Sequence, residues 1–139
     1  MKTSEKKSSK TLAGCLCKAE DVTILACSGG SNCGLLSNAA AVKLDEDGLG
    51  RFYCLAGLAA HIGGMIESAR SAKRLVAIDG CAVACARLTA EHAGLKVTDW
   101  VCVTDLGIEK IHRFKHSSPE LKKVTGAVEK SLNQPPRKS

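Results

Sequence analysis

Four short apolar runs alternate with stretches of helical character, and that alternation constrains the fold more than any other feature of the chain. The runs cover Val22–Ala26, residues 50–55, Arg74–Asp79 and residues 100–104. They are short and near-continuously apolar, the pattern of strands covered on both faces. An Ala-rich segment from about 33 to 44 reads as helix, with Ser31 or Asn32 as its N-cap. Residues 65–72 and 82–93 read as further helices, the second closed by Gly94. A last helix is expected through about 117–132 with Pro119 near its first turn, and 56–64 reads as loop or frayed helix. Strand then helix, four times over, predicts an α/β fold: a single domain with a short, mostly parallel four-stranded sheet and helices on both faces. We expect strand order 2-1-3-4, which seats the first and third runs side by side where the chain reverses direction.

A chain of 139 residues is long enough for one domain with a real core. Its net charge of +6 is unevenly placed. Residues 1–20 carry five Lys against two Glu, and residues 110–139 carry eight Lys/Arg against two Glu. Residues 21–109 hold seven basic and ten acidic side chains, so the basic excess belongs to the ends. Accordingly 1–20 reads as a flexible basic leader, 21–132 as the folded domain and 133–139 as a tail. With Phe52, Tyr53, Trp100 and Phe114 as its aromatics, the chain lacks a stacking platform, and no specific nucleic-acid binding is expected. No apolar stretch approaches the roughly 20 residues that span a bilayer, and residues 11–17 are too short and weakly apolar for a signal segment. The chain reads as cytoplasmic. Eight cysteines in a reducing compartment point to metal or redox chemistry rather than to a disulfide framework.

Three of those cysteines occupy equivalent places. Cys27, Cys54 and Cys81 each sit at or just past the end of an apolar run, and Cys85 follows Cys81 by four residues. In a parallel sheet all four emerge at one edge, where open α/β sheets bind ligands. Cys81 is expected at the turn into a helix and Cys85 one turn later, so that both face one point near a helix N-terminus that favours thiolate. Four thiolates suit zinc, and they suit an iron–sulfur cluster too. Packed core thiols are the plain alternative.

The residues around these cysteines carry a resemblance. Asp79-Gly80-Cys81 with Ala84-Cys85-Ala86, Ala26-Cys27-Ser28-Gly29 with Gly34, Phe52-Tyr53-Cys54-Leu55-Ala56-Gly57, and Val103-Thr104-Asp105-Leu106-Gly107 followed by Glu109-Lys110 stand in one order. Together they resemble the DGC-domain family of proposed zinc-binding proteins across roughly residues 22–112. The resemblance implies four chelating cysteines, which fall here on Cys27, Cys54, Cys81 and Cys85, and it implies no assigned activity. Cys33 departs from the pattern: it is a bystander thiol, a resolving partner for Cys27 or an additional ligand. Cys15-Leu-Cys17 lies outside the resemblance, as an exposed unpaired pair or as mobile accessory ligands. Cys102, inside an apolar run, reads as core.

Other candidates read more simply. The loop from Gly29 to Gly34 lacks the Lys-Ser/Thr of a phosphate-binding loop, and reads as a tight turn positioning Cys27 or as a small anion pocket. Asp79 is expected to build the turn before Cys81 or to hydrogen-bond beside a metal ligand. Asp105 reads as a cap. His61 reads as a loop residue, His92 as a cation near a helix C-terminus, and His112 and His116 as part of a solvated basic face. The expected function is zinc binding at a four-cysteine site. The alternatives are thiol–disulfide redox chemistry, with Cys81 as nucleophile, and handling or sensing of a soft metal through the same cysteines. No partner is implied.

Overall fold

A computed structural model of the protein describes residues 19–137. Four strands, β1 (Val22–Ala26), β2 (Arg51–Phe52), β3 (Arg74–Asp79) and β4 (Asp99–Cys102), form one sheet in the order β2-β1-β3-β4. Every pairing is parallel. Five helices connect and follow them: α1 (Asn32–Glu46), α2 (Leu55–Ala59), α3 (Gly63–Arg70), α4 (Cys85–His92) and α5 (Ser118–Leu132). The α/β class, the parallel sheet and the strand order agree with the sequence expectation. Cys15 and Cys17, and most of the expected leader, lie outside the described residues.

Both faces of the sheet are covered, which is why the strands read as unbroken apolar runs: β1 and β3 are buried at every residue. One face packs against α1 and α5, with Ile24, Leu36, Val76, Ile78, Val124 and Leu132 in its core. The other packs against α2, α3 and α4 through Leu25, Leu58, Ala69, Leu75 and Ala90. Successive crossovers from β1 and β3 run in opposite directions along the sheet. The C-terminal ends of these two central strands therefore border the crevice of a topological switch point. At the opposite edge Arg74 and Asp99, each 2 % exposed, form a two-pronged ion pair: Nη2–Oδ1 is 2.7 Å and Nε–Oδ2 is 2.9 Å.

Local chemistry sets the helix limits. Ser31 caps α1 by accepting the Gly34 N–H, and Ser117 with Glu120 forms a reciprocal capping box on α5 beside Pro119. Gly94, at φ +78°, lies just past the C-cap of α4, as expected. Several expectations need correction. The second strand is two residues rather than six. Of the two readings of 56–64, loop or frayed helix, its first residues take the helical one as part of α2, with Gly57 and Leu58 buried. The fourth strand ends at Cys102 and passes into a 3-10 turn at Val103–Leu106. The helix after β3 starts at Cys85, not 82, with the physical cause described below. Among the described residues no helix is long and apolar enough to cross a membrane.

Candidate functional site

A cavity of about 210 Å³ opens at the C-terminal ends of β1 and β3. The turn after β1 forms one wall (Cys27 to Ser31, with Gly34), and the turn after β3 forms the other (Asp79 to Cys81 and Val83 to Cys85). Lys110 reaches over from the segment before α5. Three of the four expected metal ligands, Cys27, Cys81 and Cys85, therefore line one space. Cys54 is not among its lining residues: its sulfur accepts the Gly57 N–H at 3.4 Å and caps α2. All six described cysteines are free.

Asp79, Gly80 and Cys81 each have a separate task. Ala84 stands at the N-cap of α4 with φ +60° and no side chain that can cap. Asp79 supplies what Ala84 lacks. Its Oδ1 accepts the Ala86 N–H at 2.7 Å, and its Oδ2 accepts the Arg87 N–H at 3.1 Å. These are N2 and N3 of the helix, the donors a local cap would satisfy. Oδ2 also accepts Trp100 Nε1–H at 3.0 Å, and the Arg87 guanidinium stacks 4.2 Å above that indole. So a carboxylate at the end of β3, 1 % exposed, fixes where α4 begins and leaves residues 81–84 as a turn. Cys81 and Cys85 accordingly flank a turn instead of sharing a helix face, closed by the Ala84 N–H on the Cys81 carbonyl at 3.1 Å.

Gly80 sits where β3 runs against the start of α1. A Cβ there would stand 2.8 Å from the Cys33 carbonyl carbon and from the Gly34 nitrogen. The bare backbone lets the Gly80 N–H reach the Cys27 sulfur at 3.0 Å. Burial pushes the Cys27 thiol up from its ordinary pKa, against the pull of the Ser37 hydroxyl and the Gly80 N–H, while Asp79 and Cys85 add to the rise.

The third wall is a strap between the 3-10 turn and α5, fastened by one buried side chain. Asn32 donates from Nδ2 to the Glu109 carbonyl and accepts the Ile111 N–H at Oδ1, both at 2.8 Å, while its own N–H meets the Ile111 carbonyl at 3.2 Å. His112 Nδ1 donates to the Gly30 carbonyl at 2.9 Å. Lys110, between these anchors, directs Nζ to the Cys81 sulfur at 3.4 Å. In the sequence Lys110 has no role beyond its place in the Glu109-Lys110 motif; its position beside the Cys81 sulfur is a tertiary fact.

The remaining candidates separate. Cys33 is fully buried in α1, with its thiol 3.9 Å from the Ile108 carbonyl, and Cys102 is buried in β4. Asp105 is exposed in the 3-10 turn and outside the cavity. His112 and His116 lie in the exposed strap and not on a helix. His61 Nε2 and His92 Nδ1 meet at 3.1 Å across the ends of α2 and α4, a contact no spacing rule announced.

Chemically the cavity offers three thiols, an ammonium group and backbone turns, a donor set suited to a thiophilic metal. Among the described residues no three His, Cys, Asp or Glu side chains already stand close enough to a common point to hold an ion. The donor types suit zinc, but their present spacing does not hold it.

Residues 23–128 match the family model described as the DGC domain. A protein of Pseudomonas aeruginosa named anaerobic and virulence modulator AnvM is 36 % identical over 64 residues. That alignment covers 46 % of this chain and 49 % of the other, so the chain spans about half the length of the curated relative it matches. No solved structure matches the chain. The family match takes in both cavity turns, the strap and most of α5, and on that extent the chain belongs to the DGC-domain family.

Proposed function

We propose that the domain binds a thiophilic metal, zinc in the first instance, through the cysteines at the β1/β3 switch point. The observation that carries this reading is the shared cavity of Cys27, Cys81 and Cys85, delivered by two different crossover turns. The Gly80 N–H on the Cys27 sulfur pulls toward the thiolate form a metal requires, against the burial that pushes this thiol up. The four-cysteine version adds Cys54, which caps α2 outside the cavity.

Metal analysis of protein purified anaerobically without chelator tests it. The expected result is about one zinc per chain, lost in Cys27→Ser, Cys81→Ser and Cys85→Ser. Normally folded protein with zinc near zero refutes it. A colourless preparation favours zinc over an iron–sulfur cluster.

A thiol redox reading uses the same residues. Its support is the free Cys81–Cys85 pair at one turn, together with the anaerobic modulator role in the relative's name. Peptide mapping without reduction separates the two: a disulfide within Cys27, Cys81 and Cys85 in place of bound metal favours redox chemistry.

A further inference from the structure

We propose that Cys81 and Lys110 form a covalent modification site, where dioxygen joins Sγ to Nζ through one bridging oxygen and staples the strap to the turn after β3. This goes beyond the metal reading and does not rest on it, because it needs one cysteine and one amine.

Juxtaposition is the first argument. Lys110 Nζ stands 3.4 Å from the Cys81 sulfur. All six described cysteines are free, and among them Cys81 has a side-chain amine directed at its sulfur. One oxygen atom spans most of such a gap, whereas a direct S–N bond would draw both groups to bonding distance. Positioning is the second. Lys110 lies between residues that the body of the domain holds. Asn32, 5 % exposed, makes three hydrogen bonds to Glu109 and Ile111, and His112 donates to the Gly30 carbonyl. From the other side the Ala84 N–H fixes the Cys81 carbonyl. Two groups already held together meet at little further cost in ordering. Access is the third. Both residues line the cavity of about 210 Å³, and its opening admits a diatomic oxidant.

The step balances as Cys–SH + Lys–NH₃⁺ + O₂ giving Cys–S–O–NH–Lys + H₂O + H⁺. The S–H bond, two N–H bonds and the O–O bond break, while the S–O and N–O bonds form. Sulfur and nitrogen each give up two electrons, and dioxygen takes all four: one atom stays as the bridge and the other leaves as water. Two equivalents of a dithiol return the four electrons and regenerate thiol, amine and water. The staple closes the strap side of the cavity and withdraws the Cys81 sulfur from any other use.

The test holds the full chain, freed of metal with a chelator, in air-equilibrated buffer beside an anaerobic control, and reads intact mass and unreduced tryptic peptides. The expected result is a gain of one oxygen with loss of two hydrogens, about 14 Da, absent from the control and removed by dithiothreitol. Residues 75–87 and 97–113 should appear as one joined peptide, with cleavage after Lys110 blocked. Lys110→Arg, which keeps the charge, and Cys81→Ser should each abolish the joined peptide, and Lys115→Arg, on the same strap, should leave its yield as in the wild type. A disulfide from Cys81 to Cys27 or Cys85 as the product, the same mass gain in Lys110→Arg, or a Cys81 thiol still free after prolonged aeration each overturns the inference. None of these outcomes bears on metal uptake by the reduced chain, so the metal reading stands or falls by its own measurement.

Discussion

Replacing Asp79 with alanine removes the device that sets the start of α4. Three donors lose their acceptor: the Ala86 and Arg87 N–H groups and Trp100 Nε1–H, now at 2.7, 3.1 and 3.0 Å. Hydrogen bonds to a charged acceptor contribute about 1.5–3 kcal/mol each. The Ala86 donor belongs to a residue with no exposure and finds no water, so it sits at the upper end. Arg87 and Trp100 are half-buried, and water recovers part of their loss. Ala84 offers no side chain to take over as cap. The sum is a destabilisation of about 3–5 kcal/mol. Asp79→Asn keeps the Arg87 and Trp100 bonds if its oxygen takes the Oδ2 place, but sets an amide NH₂ against the Ala86 N–H, and should cost about 2–3 kcal/mol. Urea denaturation followed by far-ultraviolet circular dichroism measures both. Iodoacetamide labelling with peptide mass mapping should show Cys85 reacting faster in Asp79→Ala, because its turn no longer holds. A loss under about 1 kcal/mol, with an unchanged Cys85 rate, would refute the assignment of Asp79 as the cap of α4.

Further outcomes are expected. Asp99→Ala should cost about 3–5 kcal/mol, since it strips the two-pronged partner from a guanidinium that is 2 % exposed; Arg74→Met with Asp99→Leu should be far milder, and equal losses in the urea midpoints would refute this. Burial raises the Asp99 carboxyl pKa, but the hydrogen bonds from Arg74, Ser131 and Thr98 and the Arg74 charge outweigh it and hold the group below its usual value. Its contribution is thus complete above the unfolded carboxylate pKa of about 4 and lost as pH falls through the lower folded value, so an acid titration should lose less stability in Asp99→Ala than in wild type. Gly80→Ala drives a Cβ into Cys33 and Gly34 backbone and should cost about 1–3 kcal/mol or prevent folding, while Gly126→Ala, in open space on α5, should be neutral or stabilising by thermal melting. Among the six described cysteines of metal-free protein, iodoacetamide should reach Cys54 and Cys85 first and Cys33 and Cys102 last, an order that mass mapping reads directly. Burial, followed by the charge of Cys81, raises the Cys33 thiol, so stability it contributes is full below about pH 8.5 and falls as pH rises toward its folded pKa.

The sequence by itself determined the layered architecture and the sheet order, because unbroken apolar strands alternating with helices have few ways to bury both faces. It also determined that cysteines stand at the strand ends, since a cysteine at the end of each of three parallel runs must emerge at one edge of the sheet. Tertiary structure alone decided which sulfurs share a space. The spacing of Cys81 and Cys85 predicts that both face one point, and both line the cavity, but Asp79 reaches seven and eight residues ahead to cap α4, so the helix starts later than its periodicity implies. Cys54 looked equivalent to Cys27 and Cys81, yet β2 ends at Phe52 and hands that sulfur to the N-terminus of α2. Lys110 entered the site through Asn32, nearly eighty positions away along the chain. Local spacing carries the period of a helix or strand; it carries no record of which distant donor a carboxylate or an amide will meet once the chain is packed.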